Sequence, residues 1–141
     1  GWAKIASDRG LTVTEEQGLW VIWLFDSCTV TEVARRLQRD KGTVSKCIYS
    51  LEQNGLIVRE AGIDRRSYRF RILKEGEEIR QSLAGAHGEN SVFAQVFHTL
   101  SEEEQRSFLA LLLKITKKIE GAAYMASVVR NLSRIKGVSE E

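Results

Sequence analysis

The sequence predicts a mainly α fold (α+β) in which one short β-hairpin interrupts a series of helices. Three observations carry this. Apolar residues recur at helical spacing along most of the chain, the period drops to two only between residues 56 and 72, and the order around that change is helix, short helix, tight turn, helix, hairpin. A length of 141 residues fits one domain or two small lobes, and an apolar content of 43% can fill a core. Charged residues make up 28%, too evenly signed for a disordered segment.

No proline is present, so helix ends must come from glycine, capping side chains and loss of periodicity. A short helical piece is expected over residues 2–9, broken at Gly10. Thr14 is placed to cap the next helix, with Glu15 and Glu16 complementing the positive end of its dipole. This helix should run to about Asp26 with Leu19, Trp20, Trp23 and Leu24 as its core face. Val21, Ile22 and Phe25 make it apolar nearly all round, so it must be buried on several sides.

In Thr29-Val30-Thr31-Glu32 a hydroxyl and a carboxylate three residues apart can satisfy two orphan backbone donors, which opens a short helix. Val30, Val33, Ala34 and Leu37 face inward and Arg35, Arg36 and Gln38 outward. After a turn at Gln38-Arg39-Asp40, Asp40 caps a helix to about Asn54. Gly55 ends it in the left-handed conformation. Its apolar stripe is Val44, Cys47, Ile48 and Leu51. Leu56-Ile57-Val58 and Tyr68-Arg69-Phe70-Arg71-Ile72 read as the two strands of the hairpin, with Asp64-Arg65-Arg66-Ser67 as its exposed tip.

Beyond Lys74 the pattern is helical. A helix is expected from Glu75 to about Leu83, then a loosened stretch at Gly85-Ala86-His87-Gly88, a short segment over residues 91–98, and a long helix over 101–119 opened by a Ser101/Glu104 capping box. After Gly121 a further amphipathic stretch puts Tyr124, Met125, Val128, Val129, Leu132 and Ile135 on one face. Only Ser139-Glu140-Glu141 is expected to be unstructured. The implied organisation is an N-terminal helical scaffold over residues 1–27, a central lobe over 28–74 and a C-terminal helical region over 75–138.

The net charge of +2 hides an asymmetry: residues 28–74 carry +6 and the remainder −4. A basic centre between acidic arms suits a polyanion. The central order is that of a winged helix-turn-helix with a two-stranded β wing, whose second helix enters the DNA major groove. The inward stripe of that helix leaves Gly42, Thr43, Ser45, Lys46 and Tyr49 toward solvent, a set suited to base edges and phosphates. Arg39 and Lys41 precede them, and Asp64, Arg65, Arg66 and Arg69 belong to the wing. Asp64 gives the tip a reason for order, since a carboxylate can orient a guanidinium. These eleven residues are the candidate DNA-binding set.

One lobe has too few contacts for useful discrimination over bulk DNA, so a homodimer on a pseudo-palindrome is expected. The apolar faces of residues 91–135, with Leu112, Ile115, Val128 and Leu132 as candidate dimerisation residues, exceed what the local helices can cover. A winged-helix protein-interaction module without DNA binding shares the core pattern but gives no reason for the basic cluster.

Other classes are disfavoured. Cys28, Cys47, His87 and His98 lack paired metal-ligand spacing, so neither a metal nor another cofactor is expected. The longest apolar run, residues 19–25, is too short to span a bilayer and no signal segment opens the chain, so a soluble cytoplasmic protein with no membrane partner is expected. Nothing pairs a nucleophile with a base, so no enzyme is expected. Cys47 lies in an apolar stripe and Cys28 near a helix-to-strand junction, Trp20 and Trp23 read as core, and the two histidines as surface or satisfied-core residues.

The chain resembles the MarR family of transcriptional regulators. Leu11-Thr12, Gln17 and Leu19-Trp20 resemble the family's second-helix entry. Val30-Thr31-Glu32-Val33-Ala34-Arg35-Arg36-Leu37 resembles its first helix-turn-helix helix. Asp40-Lys41-Gly42-Thr43-Val44-Ser45-Lys46 with Leu51-Glu52-Gln53-Asn54-Gly55-Leu56-Ile57 resembles the recognition helix and its exit, and Asp64-Arg65-Arg66 the wing tip. Leu73-Lys74-Glu75-Gly76 stands where the family usually has Leu-Thr-x-x-Gly. The first helix is short for the family and Gly1 is no initiator, so part of a longer first helix is expected outside this sequence. The resemblance, over about residues 11–119, implies a homodimeric DNA-binding regulator joined through its first and last helices. It also implies operator release by a small-molecule effector or, as in relatives that sense through cysteine, by an oxidant.

Overall fold

A computed structural model describes residues 2–64 and 66–132. The chain divides into two compact units, Gly1–His87 and Gly88–Glu141. In the first unit α1 (Trp2–Ser7), α2 (Val13–Leu24), α3 (Val30–Leu37) and α4 (Lys41–Gln53) precede β1 (Ile57–Ala61) and β2 (Tyr68–Ile72), and most of α5 (Lys74–Asn90) follows. This is the mainly helical, winged architecture expected from the sequence.

The start of α2 differs from its expected position. Thr12, not Thr14, is the N-cap: its hydroxyl accepts from Glu15 N at 3.2 Å and its own N–H donates to Glu15 Oε2 at 2.7 Å. A threonine with a glutamate three residues on satisfies two donors at once, and Thr14 offers no such partner. The helix ends at Leu24, and Asp26 takes a left-handed conformation at φ 63°. Its core face is Leu19, Ile22 and Trp23, whereas Trp20 and Leu24 are only half-buried.

The caps of α3 and α4 are those expected. Thr29 and Glu32 close a reciprocal box on α3, and Gln38 turns the chain through a left-handed residue at φ 52°. Asp40 caps α4, and Gly55 follows it at φ 70°, a conformation open to glycine without a Cβ penalty. Val33, Val44, Ile48, Leu51 and Ile57 join Leu19, Ile22 and Phe70 in one buried cluster under the helix pair.

The wing is a two-stranded antiparallel sheet in which Ile57 faces Ile72 and Arg59 faces Phe70. Cys28, in the α2–α3 connection, adds an antiparallel bridge: Phe70 N donates to Cys28 O at 2.8 Å and Cys28 N to Phe70 O at 3.1 Å. At the wing exit, a Cβ on Gly76 would fall on the carbonyl oxygen of Leu56 and lie 2.9 Å from Ile72 Cγ1. The departure from the family pattern at Lys74 thus leaves the close-approach glycine in place.

The stretch expected to loosen at Gly85-Ala86-His87-Gly88 is instead continuous helix within α5. Glycine in a helix interior costs only about 1 kcal/mol. Leu83 is fully buried beside these residues and His87 Nε2 meets the buried Glu16 carboxylate at 2.5 Å, so tertiary contacts override the local preference. On the same helix Arg80 is buried, its guanidinium 3.8 Å from the Trp23 ring centroid, and Trp23 Nε1 donates to Glu77 at 3.2 Å.

The second unit holds α6 (Val92–Phe97), α7 (Glu102–Glu120) and α8 (Ala122–Leu132), with Ser91 and Ser101 as caps. Phe93, Phe97 and Phe108 form an aromatic trio with centroids 5.6–6.0 Å apart. Ile135 and the 139–141 tail lie outside the described residues, as does the side chain of Leu132. No helix among the described residues is long and apolar enough to cross a membrane, and none of their His, Cys, Asp and Glu side chains gather in a group of three that could hold a metal.

Candidate nucleic-acid interface

Helix α4 buries Val44, Cys47, Ile48 and Leu51 and exposes Lys41, Gly42, Thr43, Ser45, Lys46 and Tyr49. The 3.6-residue period puts these exposed side chains on one face, with the helix N-terminus among them. Asp40 holds that end: its Oδ1 accepts from Thr43 N at 2.8 Å and its Oδ2 from Thr43 Oγ1 at 2.6 Å, which lowers its pKa. The Thr43 hydroxyl proton is therefore committed, leaving its oxygen as an acceptor. Arg39 is exposed in the turn just before the cap.

In the wing, Asp64 Oδ1 accepts from the backbone N–H of Arg66 at 3.2 Å, and Ser67 N donates to Asp64 O at 3.0 Å. Among the described residues, Asp64 thus orders the tip through the backbone of Arg66. Arg66 is exposed, and Arg65 lies outside the described residues.

An open cleft of about 370 Å³ joins the two surfaces, lined by Thr31 from α3, Ser45 and Tyr49 from α4, and Arg66, Tyr68 and Arg59 from the wing. The structure brings Ser45, Tyr49 and Arg66 to one cleft and leaves Lys41, Lys46 and Arg39 on the adjoining exposed face. Thr31, Tyr68 and Arg59 line the cleft too, and the sequence pattern had not singled them out. Tyr68 alternates with Phe70 and Ile72 along β2, yet it is 50% exposed whereas Phe70 is buried. The only available signal was its position at the strand end beside the tip.

Arg69 stands apart. Its Nε donates to Ser27 Oγ at 2.9 Å and its Nη2 to Ser27 O at 2.7 Å, and Nη2 and Nη1 meet the two Glu32 carboxylate oxygens at 3.1 and 3.5 Å. Arg71 is paired with Glu60 at 2.8 Å and Arg59 with Glu52 at 3.1 Å. Arg36 stacks on Phe25 at 3.9 Å.

Both free thiols, Cys28 and Cys47, are buried. Burial pushes the pKa of Cys28 up to about 12, aided by the nearby Glu32 carboxylate. Burial does the same at Cys47, also to about 12, with Glu15 adding to it. A thiolate is the reactive form, and neither site favours one.

Residues 11–68, which include α2 through the start of β2, match the profile of the MarR family. The MarR-type fold extends further along the chain. A mutant MepR from S. aureus superposes with a TM-score of 0.71 at 22% identity over 84% of this chain and 86% of that one. A second MepR mutant, bound to an oligodeoxyribonucleotide, gives 0.59 at 23% over the same shares. A mutant MarR from E. coli gives 0.64 at 19%, covering 81% of this chain and 84% of that one. At these identities the likeness is one of fold. No curated protein matches the sequence.

Proposed function

We propose that the chain is a sequence-specific, double-stranded-DNA-binding transcription regulator, a repressor acting as a homodimer on a pseudo-palindromic operator in the cytoplasm. The observation that carries this is the joined surface of α4 and the wing. Exposed Lys41, Lys46, Arg39 and Arg66 surround the donors and acceptors of Gly42, Thr43, Ser45 and Tyr49, inside a MarR-type lobe. Lys46 is assigned to the major groove and Arg66, with Arg65 beside it and Asp64 holding the tip, to a flanking minor groove. The DNA-bound MepR structure supports the same reading.

Dimerisation is proposed through the helices of the second unit. Leu112 and Ile115 on α7 are 48% and 54% exposed, and Phe93 on α6 is 63% exposed. Val128 is half-buried. We assign these residues, with Leu132, to a shared apolar interface. Release of the operator is assigned to a small-molecule effector rather than an oxidant, in keeping with the burial of both thiols. The central lobe over residues 28–74 is assigned to DNA reading, the C-terminal region over 75–138 to dimerisation, and residues 1–27 to the supporting scaffold of that dimer. No catalytic role is assigned.

The test is selection of bound fragments from random duplexes, followed by gel shift in moderate salt. An enriched inverted repeat bound by two chains is the expected result. Failure to enrich any duplex overturns the reading.

A further inference from the structure

Of the cations expected in the DNA-facing set, Arg69 alone among the described residues is shown paired to a carboxylate, with its side chain still 37% exposed. It lines a small open pocket together with Phe25, Ser27, Cys28, Glu32, Arg35 and Arg36. Four hydrogen bonds fix it, two to Ser27 and two to the paired oxygens of Glu32, the forked geometry that suits arginine and a carboxylate. Glu32 Oε2 also accepts from Thr29 N at 2.8 Å, so one carboxylate both caps α3 and holds the wing. The neighbouring Phe70–Cys28 bridge pins the same point of β2 to the same connection. α3 in turn packs on α4 through Val33 and Ala34 within the shared core. The wing is therefore tied by a polar latch to the framework that carries α4.

We infer that Arg69 is a positioning residue, which sets the wing tip relative to α4 through Ser27 and Glu32 and does not itself touch DNA. This rests on the DNA-binding reading above. The chemistry distinguishes the two roles. A guanidinium already committed to a carboxylate releases no counterions from DNA, so its loss should leave the salt dependence unchanged. Misplacing the wing should instead remove the contribution of Arg66, so the two substitutions must be non-additive.

The experiment measures operator affinity and its salt slope for R69M, E32Q, R71M, R66A and the R66A/R69M double variant of the full chain. Glutamine at position 32 can still form the capping box, so E32Q separates the latch from the helix cap. R69M and E32Q should each weaken binding about tenfold with the slope unchanged, and R69M should cost less than about twofold in the R66A background. R71M, which breaks the neighbouring surface pair, should bind like wild type. Without DNA, R69M should speed amide exchange at Phe70 and Cys28 while thermal melting stays cooperative. A slope shallower by about two, the sign of lost phosphate contacts in a dimer, overturns the proposal. So does full additivity with R66A, an equal loss in R71M, or unchanged amide exchange. If wild type binds no duplex but R69M frees the wing amides, the DNA reading fails and the latch stands as a wing-positioning device only.

Discussion

Raising monovalent salt from 50 to 200 mM should weaken operator binding by about four orders of magnitude, and the structure sets that figure. Seven described Lys/Arg residues lie on the turn, α4 and the wing near the proposed DNA face, but Arg59, Arg69 and Arg71 are neutralised by Glu52, Glu32 and Glu60. Arg39, Lys41, Lys46 and Arg66 remain exposed, four per lobe and eight in a symmetric dimer. Each neutralised phosphate contributes about −0.9 to the log–log slope, giving a slope near −7. Arg65, if it adds one contact per lobe, steepens this to about −9. Fluorescence anisotropy on a labelled operator across that range reads the slope directly. A value shallower than about −3 would refute the assignment of these side chains to phosphates and grooves, because a MarR-type lobe with so few ionic contacts must meet its partner by another face.

Other consequences can be measured separately. Lys46→Ala should cost about 1–3 kcal/mol and relax preference at one operator position, whereas Arg66→Ala should weaken binding mainly on A/T-rich flanks; competition with single-base operator variants resolves both. Replacing Leu112 and Ile115 together by Glu, or ending the chain after Glu120, should yield monomers in sedimentation at micromolar concentration and greatly reduce operator affinity, since tethering the two lobes supplies their effective concentration. Gly76→Ala should destabilise the first unit by about 3 kcal/mol in urea titration, because the added methyl meets the Leu56 carbonyl and Ile72. Cys28 and Cys47 should label negligibly with iodoacetamide in the native protein at pH 7, with thiol pKa values raised to about 12, and peroxide should leave operator binding intact. Glu15 should contribute to acid lability. Burial opposes its charge, but hydrogen bonds from Ser50 and Thr12 outweigh this and lower its pKa from 4.5. Its stabilising effect is therefore present above pH 4.5 and lost as pH falls through the folded value, so Glu15→Gln should flatten the low-pH end of a melting curve.

The features written in short-range chemistry were legible in the sequence. The boxes Thr29/Glu32 and Ser101/Glu104, the cap at Asp40, the stop at Gly55 and the alternation of β2 each depend on residues within a few positions of one another. What the pattern does not show lies where distant partners decide. Gly85 and Gly88 read as a break, and contacts of Leu83 and His87 with residues far away in sequence keep the helix whole. Tyr68 follows the period of a buried strand face, yet the wing tip leaves it in the cleft. Arg69 is indistinguishable by spacing from its exposed neighbours, because its partners Ser27 and Glu32 lie about forty residues upstream. Among the candidate site residues, the α4 face follows directly from a helical wheel, while the division of the described wing arginines into the paired Arg59, Arg69 and Arg71 and the exposed Arg66 arises only in the folded chain.

The half-exposed aromatic trio of Phe93, Phe97 and Phe108, continued by Leu112 and Ile115, has a consequence for how the protein behaves as its amount in the cell changes. If this surface forms the proposed dimer interface, folding and self-association become linked equilibria, and melting temperature should rise with protein concentration. At low copy number a larger share of chains would carry the face uncovered, exposed to proteolysis and to wrong partners. Scarcity would then thin the pool of competent protein faster than synthesis alone dictates, giving a steeper dose response than two independent lobes could produce.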